Sequence, residues 1–363
     1  MLYTVRYGDS LNSVARAHRV SPAELSSINQ LDPHIKPVPG QSLIIPDDNE
    51  PSKPIAIHGS VLPGTGDMAF LCAAPYLTYV SVRSGRFLPD GSIIGINDHS
   101  LIRRAYGFST APLLTVTNQR QGGEYSGELL HGLLQSEGAK AAFSDKLTAY
   151  LSCRNYKGVN LDFSSIYPED ASPYAAFAAE LAGKLHDSGF VLFITVHGRP
   201  EVLRRLDSGP DRVIILPWAK DHAYGPPCPA GPMDNAEECI KAAAASIPSD
   251  RILLGIPSFG CNWALPYRGG IARPVYLCEA PTLAHSHFAD IRYDEALQAP
   301  HFSYYDSAGT EHMVWFHDPR SISARLDLAE KYGLGGISWG NIAPPYRPGW
   351  TIVSDRYKPD KIL

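Results

Sequence analysis

The sequence predicts an α/β protein: a (β/α)8 TIM barrel with a small α+β insertion, preceded by a small βααβ module. Three observations carry this expectation. From residue 55 onward eight β-rich runs alternate with helix-length segments, the order that builds a parallel barrel. Between Asn262 and Phe316 the spacing stretches and the runs become short and mixed. The first 46 residues form a pattern of their own that stops at a polar, Pro-rich stretch.

Within residues 1–46, Tyr3-Thr4-Val5 reads as a short strand and Gly8-Asp9-Ser10 as a turn. Leu11, Val14 and Ala15 then recur at helical spacing. A second helix starts at Ser21, a good N-cap with Pro22 at N1 and Glu24 at N3, the capping-box arrangement, and runs to about Asn29. Gly40-Gln41-Ser42-Leu43-Ile44-Ile45-Pro46 returns as a strand. Residues 47–54 are polar and Pro-rich, the mark of a linker between separately cored units.

The eight barrel runs are Ile55-Ala56-Ile57, Leu77 to Val82, Leu113 to Thr117, Gly158 to Phe163, Val191 to Val196, Val213 to Trp218, Ile252 to Pro257 and Gly335 to Trp339. Gly158 to Phe163 alternates apolar with small or polar residues, contains no Pro, and ends at a polar loop. That alternation makes it a buried strand with Asp162 pointing out of its C-terminal end. In the insertion, Ile291-Arg292-Tyr293, Phe302 to Tyr305 and Met313 to Phe316 read as short strands. The barrel is expected over 55–350, with 262–316 as the insertion and 351–363 as a tail.

Composition narrows the function class. With 363 residues, 44% hydrophobic and 19% charged, the chain is globular and long enough for one large domain and one small one. No run of about 18 apolar residues exists, so neither a membrane span nor a membrane partner is expected. The N-terminus enters a folded pattern at Leu2 without the basic region and apolar core of a secretory signal, so synthesis in the cytoplasm without export is expected. The net charge is −5 and basic residues are scattered, which gives no footprint for nucleic acid. Cys72, Cys153, Cys228, Cys239, Cys261 and Cys278 form no C-x-x-C pair and no His-Cys cluster at metal spacing, so neither zinc nor another cofactor is expected and buried free thiols are. His197, His222, His301, His312 and His317 show no paired helical spacing and read as exposed loop histidines.

Two resemblances give the chain a chemistry. The N-terminal motifs Tyr3-x-Val5-x-x-Gly8-Asp9-Ser10-Leu11, Val20-Ser21-x-x-x-Leu25-x-x-x-Asn29 and Gly40-Gln41-x-Leu43-x-Ile45-Pro46 resemble a LysM domain. That implies binding of peptidoglycan or another N-acetylglucosamine polymer, in a groove using Gly8, Asp9, Ser10 and Leu11 on one side and Leu31, Asp32, Pro33 and Ile35 on the other. The stretch Tyr156 to Ser164 resembles the fourth barrel strand of the family 18 glycoside hydrolases, the chitinases and N-acetylglucosaminidases. Leu253 to Gly260, Asn262-Trp263, Leu265-Pro266-Tyr267, Val314-Trp315-Phe316, Asp318-x-Arg320-Ser321 and Gly335 to Trp339 look like the spore cortex-lytic members of that family. These pair LysM modules with the barrel and are placed on spores without signal peptides, which implies a spore coat or cortex setting.

The same resemblance implies a damaged catalytic apparatus. The family signature is Asp/Asn-Gly-apolar-Asp/Asn-apolar-Asp-x-Glu; here Gly158, Asn160 and Asp162 match, Lys157 takes the first acidic position, and Ser164 takes that of the proton-donating glutamate. In this family the glutamate protonates the glycosidic oxygen while the substrate's own acetamido carbonyl attacks the anomeric carbon. Asp162 remains for orienting that acetamido group, but a serine hydroxyl is too weak an acid for the first role. Glu169, with Asp170 beside it, is the nearest substitute acid. On the sixth strand the family's Met-x-Tyr-Asp is Leu216-Pro217-Trp218-Ala219, so the acetamido clamp is replaced as well.

For sugar binding the sequence offers aromatics expected at the barrel mouth, whose faces stack on pyranose rings. The resemblance makes Trp339 the floor of the cleft, and Trp218, Tyr224, Trp263 and Tyr267 fall in predicted loops or strand ends around it. Three readings stay open: a degenerate glycosidase that binds wall glycan, an active cortex-lytic N-acetylglucosaminidase with a non-standard acid, and a structural spore-coat protein.

Overall fold

The structure, a computed structural model, describes residues 1–47, 53–64, 67–206 and 209–363. The N-terminal module is built from β1 (Leu2–Thr4), helices Leu11–His18 and Pro22–Ile28, and β2 (Ser42–Ile44), with β1 and β2 antiparallel. Ser10 forms a reciprocal capping box with Ser13, and Ser21 Oγ accepts from the Glu24 backbone N–H at 3.1 Å. Val5, Leu11, Val14, Ala15, Leu25, Leu43 and Ile45 close a small core of their own.

The remaining strands, in chain order, are β3 (Lys53–Val61), β4 (Tyr79–Phe87), β5 (Ile93–Ile94), β6 (Ala111–Thr117), β7 (Gly158–Asp162), β8 (Val191–His197), β9 (Arg212–Leu216), β10 (Ile252–Ile256), β11 (Phe259–Leu265), β12 (Arg273–Tyr276), β13 (Arg292–Asp294), β14 (Ala299–Tyr305), β15 (Glu311–Trp315), β16 (Gly336–Trp339) and β17 (Tyr357–Pro359). Eight of them, β3, β4, β6, β7, β8, β9, β10 and β16, pair in parallel around a closed ring, with β16 joining β3. Helices such as Glu137–Arg154, Ala171–Asp187 and Pro319–Lys331 pack outside it. All eight expected runs are strands of this ring.

The insertion begins slightly earlier than the spacing suggested, because β11 follows β10 after only two residues. Its five antiparallel strands run in the order β12-β11-β15-β14-β13. The end of the chain is also more ordered than a tail: helix Arg347–Ser354 packs on the barrel, and β17 pairs in parallel with β3.

The module is docked on the barrel. Val38 and Ile44 lie in the barrel's own apolar core. Arg320 Nη2 donates to the Gly40 carbonyl at 3.0 Å, Arg347 Nη1 to Ser27 Oγ at 2.6 Å, and Tyr7 OH to the Asp290 carboxylate. Gly40 has φ +82°, and a Cβ there would stand 1.7 Å from the Ile291 carbonyl oxygen, so only glycine allows this approach. The expected linker falls on residues 47–54, of which 48–52 lie outside the described residues.

Candidate active site

Parallel barrel strands deliver their functional side chains to the C-terminal mouth, and here that mouth opens on a cavity of about 430 Å³. Its deepest wall is polar. His58 on β3 bridges Ser338 Oγ at 2.8 Å and Ser81 Oγ at 2.7 Å; Asn160 Nδ2 donates to the same Ser81 oxygen at 3.2 Å, and Thr195 Oγ1 donates to Asn160 Oδ1 at 2.9 Å. Burial pushes the His58 imidazole down to about 3, so it is a neutral bridge between two hydroxyls.

Above this layer stands Asp162, the last residue of β7. Its Oδ1 accepts from Lys220 Nζ at 2.8 Å and from His197 Nε2 at 3.0 Å, and the Tyr125 hydroxyl lies 3.5 Å from Oδ2. Lys220 Nζ also sits 3.4 Å from the centroid of the Tyr125 ring, a cation–π contact. Burial alone would raise the Asp162 carboxyl, but the Lys220 ammonium and His197 outweigh it and hold the group well below the usual carboxylate range. Burial lowers Lys220 to about 8 against the pull of Asp162, and it lowers His197 as well. At neutral pH the centre is therefore a carboxylate–ammonium pair with a neutral imidazole donor, whose Nδ1 has no partner among the described residues.

Among the described residues lining the cavity, Asp162 is the sole carboxylate. Ser164 is held at its backbone by Asn118, whose Oδ1 accepts from the Ser164 N–H at 3.0 Å, and it lines a separate crevice of about 10 Å³. Glu169 is exposed on the one-turn helix Pro168–Asp170, away from the cavity wall. Asp170 is buried with its carboxylate on His131 Nδ1 at 2.8 Å. Neither lines the cavity.

The aromatic assignments divide. Trp218 lines the cavity with its indole 8% exposed, joined there by Tyr125, Phe259 and Tyr276. Trp339 does not reach it. Side chains alternate across a strand, and in β16 Ser338 takes the inward position beside His58. Trp339 therefore faces the helices, 1% exposed and stacked on Trp350 at 4.8 Å. Trp263 is 2% exposed in the core of the insertion, where its indole N–H donates to the Gly225 carbonyl at 2.8 Å. Tyr267 packs against that cluster and donates to the Tyr224 carbonyl, while Tyr224 is 59% exposed; neither lines the cavity.

The histidine expectation also changes: His197 is a cavity residue on Asp162, and His317 is 1% exposed with Nε2 on the Ala230 carbonyl. Lys220, Tyr125 and Arg83 were not singled out by sequence. Lys220 and Tyr125 reach the carboxylate and Arg83 reaches Tyr125, each from a separate segment, and the only local signal is a lysine just past a predicted strand end.

In the module, three of the eight proposed groove residues have structural duties. Asp9 Oδ2 accepts from Tyr3 OH at 2.7 Å and from the Arg6 N–H at 2.8 Å, Ser10 caps its helix, and Leu11 is buried. Gly8, Asp32 and Pro33 are exposed, Ile35 is half-buried, and Leu31 faces a small gap against the barrel.

Comparison with known proteins agrees with this architecture. Residues 3–46 match the LysM domain, and residues 121–341 match the glycosyl hydrolases family 18. The cortical fragment-lytic enzyme of Bacillus anthracis is 28% identical, over 78% of this chain and 69% of that protein. The enzyme of the same name from Bacillus subtilis (strain 168) is 27% identical over 98% of both chains. The crystal structure of the Bacillus cereus spore cortex-lytic enzyme SleL superposes with a TM-score of 0.91 at 25% identity, covering 99% of each chain. With its closed eight-stranded barrel and N-terminal LysM domain, this chain belongs to family 18 of the glycosyl hydrolases.

Proposed function

We propose that this protein holds peptidoglycan or another N-acetylglucosamine polymer, through its LysM domain and its barrel cavity, with little or no hydrolysis. The observation that carries the reading is the state of Asp162: it is the sole carboxylate lining the cavity among the described residues, and the Lys220 ammonium together with the His197 hydrogen bond keeps it ionised. Hydrolysis by this family's chemistry needs a proton delivered to the leaving oxygen. An acid held ionised has none to give, and the Ser164 hydroxyl is too weak an acid to replace it. Oδ1 of Asp162 is engaged by both Lys220 and His197, which leaves Oδ2, 3.5 Å from the Tyr125 hydroxyl, as the oxygen available to an acetamido N–H. The cortical fragment-lytic relatives support a spore cortex setting, and an open cavity walled by Trp218 is of no use to a purely structural coat protein.

A second reading rests on Lys220. Lowered to about 8 and held on Asp162 inside the cavity, its ammonium serves in this reading as an unconventional acid. Sedimentation with insoluble peptidoglycan and chitin, with reducing ends assayed in the supernatant, separates the readings. Retention that weakens in Trp218→Ala, without released reducing ends, supports binding. Release that disappears in Lys220→Met establishes the hydrolase, and failure to sediment with either polymer removes both.

A further inference from the structure

We infer that the barrel's groove selects glycans bearing carboxylates over neutral ones, through Arg83 and Arg86 on the lip of the mouth; the inference rests on the glycan-binding reading above. The mouth cavity does not end at its rim. It shares Arg83, Gln119 and Asn341 with a second cavity of about 450 Å³, and that one shares Arg86 and Gln119 with a third of about 610 Å³. Each is of a size that holds a small ligand, and together they make a continuous track suited to an extended polymer.

The charge along that track is unbalanced. Two carboxylates line it, and each is already bridged: Asp162 by Lys220 at 2.8 Å, and Glu128 by Arg120 at 2.5 Å. Two cations, Arg83 and Arg86, remain without a carboxylate partner among the described residues. This local surplus sits in a protein of net charge −5, so it is not a reflection of a basic surface overall.

Backbone geometry presents Arg83 to the track. The pairing of β4 with β6 runs in register through Val82 opposite Leu114 and resumes at Gly85 opposite Val116, so Arg83 and Ser84 together oppose Thr115. An extra residue of this kind is a β-bulge, which re-aims a side chain and is frequent beside active sites. Ser84, the other residue of the bulge, is buried with its hydroxyl donating to Asp98 Oδ2 at 3.0 Å. Arg83 is exposed and lies close enough to the Tyr125 hydroxyl to hydrogen-bond it. Beyond the bulge, β4 continues to Phe87 and pairs with β5 through Arg86 opposite Ile94, forming the lip on which Arg86 sits half-buried.

A guanidinium offers a rigid fork of donors matched to a carboxylate. An uncharged chitin-like chain offers it only hydroxyl and amide oxygens, whereas the lactyl or stem-peptide carboxylates of a muramyl glycan match both its charge and its fork. The structure therefore fits an anionic glycan better than a neutral one.

Tryptophan fluorescence of the full-length protein reports on the barrel, because all five tryptophans, Trp218, Trp263, Trp315, Trp339 and Trp350, lie outside residues 1–46. Three probes are titrated: the neutral N-acetylglucosamine tetramer, a tetrasaccharide alternating N-acetylglucosamine and N-acetylmuramic acid with free carboxylates, and that tetrasaccharide with its carboxylates amidated. The free acid should bind about tenfold or more tighter than the other two, the scale of one charged hydrogen bond. Its advantage should shrink in high salt and fall to near one in Arg83→Gln/Arg86→Gln, whose folding is checked by circular dichroism. Equal binding of the three probes, or a preference that survives in the double variant, overturns the inference and leaves glycan binding standing. Quenching by none of the probes overturns both.

Discussion

Replacing Lys220 by methionine removes the cation from Asp162 while keeping most of the buried stem. The side chains of Asp162 and Lys220 are 10% and 21% exposed, so the pair belongs to the buried class, for which deleting one partner costs about 3–5 kcal/mol. His197 keeps its hydrogen bond to Oδ1, which places the expectation at the lower end, about 3 kcal/mol. At roughly 2–4 °C per kcal/mol for a domain of this order of size, the melting temperature should fall by about 6–12 °C. The pH dependence carries the sign. In the native protein Asp162 is held below its unfolded value, so its contribution is present at neutral pH and is lost only as pH falls toward the folded value. In Lys220→Met the largest downward pull on Asp162 is gone while burial still pushes it up, so the carboxyl moves up from its native value and acidification from pH 7 toward pH 5 narrows the variant's deficit. Scanning calorimetry at both pH values should show the larger deficit at pH 7, and Asp162→Asn/Lys220→Met should lose less than the two single changes added together. A single variant as stable as the native protein at both pH values would refute the ion pair as the organiser of the mouth.

Two tryptophans divide stability from binding: Trp339→Ala should cost about 3–5 kcal/mol by emptying a core position while the folded fraction still binds glycan, and Trp218→Ala should weaken glycan-induced fluorescence changes with a smaller stability loss. Gly40→Ala should loosen the LysM domain from the barrel, read as faster proteolytic cleavage within residues 47–54; an unchanged cleavage rate would mean that the docking does not depend on the Gly40–Ile291 approach. Restoring the family's groups singly, with Ser164→Glu, should return little hydrolysis, because groups that act as a unit are not additive. Adding Trp218→Tyr, Ala219→Asp and Lys220→Met should give more than the separate changes combined, and strictly additive gains would count against this view.

Much of the fold was legible because each barrel strand carries its own local signal: an apolar run of strand length between turn residues. The module was legible for the same reason, from turn, cap and helix periodicity within 46 residues. The site was less so, because its groups converge from segments far apart in the chain. Asp162, Lys220, His197 and Tyr125 meet only once the ring has closed. Trp339 shows a sharper limit, since strand side chains alternate faces and one residue of register decides between cleft and core. Trp263 and Tyr267 read as mouth aromatics, but they are taken up by a small apolar cluster of the insertion with Cys261 and Ala272. The docking of the LysM domain was hidden by a linker-like composition, because the contacts that fix it, Gly40 with Ile291 and Arg347 with Ser27, are pairwise and long-range.

The proposal is that this barrel grips glycan without any group able to cleave it. Its most direct test is overnight incubation of the purified full-length protein with cortex fragments and N-acetylglucosamine oligomers, followed by mass analysis of the products. The account predicts unchanged substrate masses under conditions where fluorescence shows the glycan bound, while robust cleavage, whether abolished by Lys220→Met or by Glu169→Gln, would contradict it.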